Sequence, residues 1–255
     1  MMNYFTRTNA LALLAAGLVL ATPAMAAVLS VDGITEPILD ATLSSPVAGI
    51  VAKHNFKEGD FVKSGDAIVE LDKRQEELEA KRRNIVLAPM KADWEGARFL
   101  FQQPKSSISK ETLDKKQSDY DVAVVEHELA EDAVRKRLIS APFDGSIAEI
   151  FLKPGEACQI QQPVVRIVDT RRCYFISNLE AKLGASLRVG QKVDLDLNAG
   201  PTPVRFSATI SFISPVVDPA SGLLKVKAVF ENAEGKIRPG ISGRMTFQDT
   251  PNAGQ

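Results

Sequence analysis

The sequence predicts a mainly β protein with an inserted α-helical hairpin: a β-sandwich split into two halves, then a small β-barrel, elongated overall. Three observations lead there. A strand-rich segment recurs at an offset of 96 residues. A charge-dense, glycine-poor segment of helical spacing separates the two copies. Beyond Asp169 the chain alternates short β-rich runs with Pro and Gly turns.

The first 26 residues read as a secretory signal. Arg7 supplies the positive start, Ala10 to Ala21 is an apolar run too short to span a bilayer comfortably, and Ala24-Met25-Ala26 is an A-x-A cleavage pattern. The mature chain is expected to start at Ala27, with retention as an uncleaved anchor the alternative. Residues 27–43 are assigned to an N-terminal strand of the barrel.

The repeat occupies residues 44–72 and 140–169. Pro46, Gly49, Gly59 and Val69 recur as Pro142, Gly145, Gly155 and Val165, with no gap between them. Apolar residues alternate from Val47 to Val51, as a half-buried strand requires. Gly49, Gly59, Gly145 and Gly155 are read as structural turns. One copy is too short to bury its own apolar face, so the two must face each other.

The insert, residues 73–139, carries 14 basic and 13 acidic residues and a single glycine, Gly96. Glu77/Lys81, Glu79/Arg83, Glu131/Arg135 and Asp132/Lys136 are i,i+4 pairs in the favoured order. Leu87, Met90, Trp94, Ala97 and Phe101 step by 3 and 4, a heptad seam. Leu71, Leu78 and Ile85 form a second seam of shifted phase, and Pro89 near the shift is expected to kink the helix. After a break at Gln103 to Ile108, Ser109 is placed as an N-cap. The second helix is drawn to about Leu138. Two helices of about 30 residues project roughly 45 Å. Residues 170–248 then read as the barrel and 249–255 as a tail.

Composition excludes several functions. Hydrophobic residues are 45% and charged residues 25%, ordinary for a folded chain, and the net charge of −1 invites no nucleic acid. Cys158 and Cys173 are either bridged or two buried thiols. His54 and His127 lack any nucleophile, phosphate loop or metal spacing, and are read as exposed structural residues. No catalytic, cofactor-binding or metal-ligating residue is assigned.

Three stretches carry a resemblance. Pro46 to Val51 with Glu58-Gly59-Asp60 and Leu71-Asp72, then Ile139 to Gly145 with Pro154-Gly155, are similar to the halves of a lipoyl-like domain. Ile213 to Pro219 with Arg238-Pro239-Gly240 resembles a barrel segment. Together they resemble periplasmic adaptor proteins, also called membrane fusion proteins, of the hemolysin-secretion type and of RND efflux pumps. The resemblance implies a non-enzymatic periplasmic subunit, peripheral to the inner membrane. It would link an inner-membrane transporter to an outer-membrane channel and assemble as a ring, a hexamer or trimer of dimers. Multidrug-pump adaptors carry Arg, three residues, Leu, six residues, Ser at the hairpin tip, where the channel is contacted. Arg98 and Ser109 match that spacing, while Gln102 stands at the Leu position. The alternative is a solvated Arg98 and a Ser109 that only caps. The resemblance further implies that a membrane-proximal domain, built from both chain ends in longer adaptors, is absent here. Two rival functions are a lipoyl or biotinyl carrier domain, which would need a modifiable Lys on a tight turn between the halves, and a soluble periplasmic binding or scaffold protein.

Overall fold

The computed structural model describes residues 28–104 and 107–248; the signal, its cleavage site and the 249–255 tail lie outside the described residues. A long strand β1 (Val28–Ser44) leads. The first repeat copy forms β2 (Gly49–His54), β3 (Phe61–Val62) and β4 (Ala67–Leu71). Helices α1 (Arg74–Phe101) and α2 (Lys110–Arg135) follow. The second copy forms β5 (Leu138–Ser140), β6 (Gly145–Ile150), β7 (Ala157–Cys158) and the start of β8 (Pro163–Glu180). A single turn α3 (Ala181–Gly184) leads to β9 (Lys192–Leu197), β10 (Val204–Ile213), β11 (Leu223–Glu231) and β12 (Ser242–Gln248).

The two copies complete each other by reciprocal hydrogen bonds. Gly59 N–H donates to Ile147 O and Ile147 N–H to Asp60 O, at 2.8 and 2.9 Å. At the equivalent positions 96 residues on, Gly155 N–H donates to Val51 O and Val51 N–H to Glu156 O, at the same two distances. Their buried side chains are equivalent too. Val51/Ile147, Val62/Cys158, Ile68/Val164, Val69/Val165 and Leu71/Ile167 all lie in one core. Cys158 thus fills the place that Val62 fills in the first copy, as a small apolar side chain.

The barrel closes in the order β1-β12-β9-β10-β11-β8, with β8 returning to β1. Phe175, Leu195, Leu197, Ile210, Phe230 and Met245 fill it. β1 and β8 are longer than either domain needs, because each serves both. Gly33 to Pro37 pair with Cys173 to Ser177 inside the barrel, and after a register shift Leu39 to Leu43 pair with Val165 to Asp169 in the sandwich. At this joint Arg171 grips Asp169 through two nitrogens, at 3.0 and 2.8 Å, and lies over the Phe61 ring. That grip holds the Asp169 carboxyl below the usual range.

Both cysteines are free and buried, in separate cores. Burial pushes the Cys173 thiol up to about 11, which makes it inert as a nucleophile.

Of the four glycines read as turns, only Gly59 and Gly155 have positive φ, at 89° and 90°. Gly49 and Gly145 instead open β2 and β6 and are needed for close approach. A Cβ on Gly145 would stand 2.7 Å from Val168 O, and one on Gly49 2.6 Å from an Arg137 guanidinium nitrogen.

Candidate docking site at the hairpin tip

α1 and α2 pack as an antiparallel pair whose contact line is heptad-spaced along its whole length. On α1 it runs through Ala80, Arg83, Leu87, Met90, Trp94 and Ala97; on α2 through Leu113, Tyr120, Ala123, His127, Ala130 and Val134. The expected phase shift is not there. Leu78 and Ile85 are exposed, and the seam near the sandwich is completed by polar residues instead. Arg83 pairs with Glu126 across the helices, and Glu76 with Arg137. Pro89 stands inside α1 without ending it.

Two of the four expected i,i+4 pairs form, Glu79–Arg83 and Asp132–Lys136. Glu77 pairs backward with Lys73, and Arg135 with Asp132. Arg82 and Arg83 together bring the Glu79 carboxyl down to about 2. α2 stops at Arg135, and Leu138 and Ile139, drawn as helix and hairpin end, belong to β5 beside β4.

Trp94 stacks on Tyr120 at a centroid distance of 5.2 Å and an interplanar angle of 7°. Arg98, in the last turn of α1, lies over the Trp94 ring, 5.5 Å from its centroid. The guanidinium is therefore exposed yet oriented by the ring beneath it. Gln102 is the C-cap of α1 and exposed. Ser109 is the N-cap of α2: its Oγ accepts from Thr112 N–H at 3.1 Å and lies 2.9 Å from the Thr112 hydroxyl. Arg98, Gln102 and Ser109 thus share one end of the molecule.

Sequence reasoning passed over the most exposed apolar group there. Phe99, Leu100 and Phe101 are 63%, 43% and 38% exposed. Three consecutive apolar residues cannot all face one seam at 100° per residue, which was the available signal. They offer apolar surface beside Gln102, where the tip pattern would have Leu.

His54 and His127 are both half-buried rather than exposed. His127 sits in the seam with Nε2 3.4 Å from Glu131, and neither His54 Nε2 nor His127 Nδ1 has a hydrogen-bond partner. Among the described residues no group of three His, Cys, Asp or Glu side chains could hold a metal ion.

Two family models match this arrangement. Residues 40–170 match the "RND MFP, barrel-sandwich hybrid domain" and residues 178–251 the "CusB-like, beta-barrel domain". The chain belongs to the RND membrane fusion protein family. An uncharacterized protein of Haemophilus influenzae is 28% identical over 86% of this chain and 56% of its own length. The multidrug resistance protein MdtE of Escherichia coli is 25% identical over 88% of this chain and 65% of its own. The chain therefore spans under two thirds of the length of these relatives. A MacA–MexA chimera carrying the Pseudomonas aeruginosa MexA α-hairpin domain shares the fold, with a TM-score of 0.76 at 18% identity over 89% of this chain and 80% of that one. No helix among the described residues is long and apolar enough to cross a membrane.

Proposed function

We propose that this protein is a periplasmic adaptor of an efflux pump, linking an inner-membrane transporter to an outer-membrane channel by assembly and coupling, with no bond chemistry of its own. The observation that carries the reading is the hairpin tip. A stiff pair of helices, anchored in a sandwich that folds around its base, ends in an apolar Phe99-Leu100-Phe101 surface flanked by an oriented Arg98. A rigid element with an exposed apolar end and an arginine has the make-up of a protein-contact site. Arg98, Gln102 and Ser109 are assigned to the channel contact together with Phe99 and Leu100. The sandwich layer is assigned to a ring of copies, a hexamer or trimer of dimers, and the barrel to the transporter side. The chain is assigned to the periplasm, exported by a cleaved signal and peripheral to the inner membrane, a reading supported by the A-x-A pattern at Ala24-Met25-Ala26 and by the family.

A mild-crosslinking pulldown of the tagged protein from native envelopes, read by mass spectrometry, tests this. The expected catch is one inner-membrane transporter together with one outer-membrane channel. A monomer recovered with neither would remove the adaptor role and leave a soluble binding protein of the same fold.

A further inference from the structure

The end of the barrel opposite the hairpin has a character of its own. Four pieces of chain meet there. β1 begins at Val28, which pairs with Gln248 at the end of β12. β8 ends at Glu180 and pairs there with Leu223, the first residue of β11. The turn between β10 and β11 and the loop from α3 to β9 complete the rim.

The β10–β11 turn is built to hold apolar side chains outward. Ser214 Oγ donates to Val216 O at 2.7 Å and accepts from Val216 N–H. Asp218 accepts from Ala220 N–H at 3.1 Å and from the Ser221 hydroxyl at 2.7 Å, and Gly222 N–H donates to Asp218 O at 2.8 Å. Val216 and Val217, 68% and 39% exposed, stand on this frame. Val189, on the loop before β9, is 65% exposed at the same end. A turn fixed by its own polar side chains that presents two valines to solvent has not been shaped by the need to bury them.

The charges around these valines are one-sided. The segments 180–192 and 214–225 hold Lys182, Arg188, Lys192 and Lys225 against Glu180 and Asp218, in a chain whose net charge is −1. Lys182, Lys192 and Lys225 are exposed and form no ion pair among the described residues, whereas the Asp218 carboxylate is already engaged by its own turn. Exposed apolar side chains at an end with more cations than anions match the boundary between lipid headgroups and acyl chains.

The path of the chain points the same way. The apolar run ending at Ala21 is seven residues upstream of Val28. That length reaches at most roughly 25 Å when fully extended. During export, or where the run is retained as an uncleaved anchor, this rim is the part of the folded body held against the bilayer.

We propose that this rim docks on an anionic lipid surface, with Val216, Val217 and Val189 entering the headgroup region and Lys182, Lys192 and Lys225 meeting the phosphates. The inference deepens the reading of the barrel as the membrane-side end, but needs neither the transporter nor the channel.

Vesicle flotation of the purified protein tests it, with equimolar phosphatidylglycerol and phosphatidylcholine against phosphatidylcholine alone. The expected result is binding to the anionic vesicles only. It should fall roughly tenfold in the triple variant Lys182→Glu, Lys192→Glu, Lys225→Glu, and by a similar factor in Val216→Asp with Val217→Asp. Phe99→Asp at the far tip should leave it unchanged. All substituted positions are exposed, so unchanged melting temperatures establish that the variants fold. Absence of flotation, equal flotation on neutral vesicles, or retention by both rim variants overturns the proposal. So does a rim whose variants lose transporter capture while the unaltered protein ignores vesicles. In that case the rim is a protein contact and the adaptor reading stands.

Discussion

In the β body the inward side chains are large and apolar: Phe175, Phe230, Ile210 and Leu195 in the barrel, Ile68, Leu71 and Ile167 in the sandwich, all essentially without solvent exposure. In the two helices the buried residues are only the small Ala97, Ala123 and Ala130. There Trp94 and Tyr120 are only half-buried, and Arg83, Glu126 and His127 share the seam. Stability therefore resides in the body. The hairpin holds its shape through helix propensity, one aromatic stack and cross-helix ion pairs, and leaves much of its apolar surface outside.

The sharpest way to break that contrast is to empty the barrel. Phe175→Ala removes a fully buried ring and should cost about 3–5 kcal/mol, seen as a large fall in melting temperature of the whole body. Gly145→Val comes next. Its added carbons meet Val168 O, and overpacking of this kind should cost about 1–3 kcal/mol in the same assay. Trp94→Ala should act locally, weakening the hairpin by about 1–2 kcal/mol. Amide exchange should quicken in α1 and α2 while the body melts as before. A matching fall in the body would mean that the two regions fold as one unit.

The smallest expected effect is with acid. Glu70, at the foot of the hairpin, is lowered to about 2 by Asn55, Lys53 and Lys73, from an ordinary value of 4.5. A carboxylate depressed in the folded state stabilises it fully above the unfolded value, and that contribution fades as pH falls from about 4.5 through about 2. Glu70→Gln should flatten this part of the stability–pH curve, measured by thermal melts across that window.

Much of this was legible in the sequence, for physical reasons. A gapless repeat forces equivalent residues into equivalent burial, so Val51 and Ile147, or Val69 and Val165, could be paired before any strand was drawn. The strand-rich character of the barrel beyond Asp169 followed from short β-rich runs set between Pro and Gly turns. The dual use of β1 and β8 was hidden, because a strand crossing from one sheet to another shows no break in alternation where it changes partners. The seam near the sandwich was missed because Arg83 and Glu76 occupy it, and apolar periodicity instead picks out Leu78 and Ile85, which face solvent. At the tip the spacing of Arg98 and Ser109 placed both residues at one end. The exposed Phe99 and Leu100 were hidden by assigning Phe101 to the seam.

The account rests on a tip that makes contacts without supporting the fold. The most direct test is a single variant, Arg98→Asp with Phe99→Asp, assayed for melting temperature and for crosslinking to the proposed outer-membrane channel partner. The expected result is an unchanged body melt and loss of channel capture. Undiminished capture, or a melt lowered as far as that of Phe175→Ala, would contradict it.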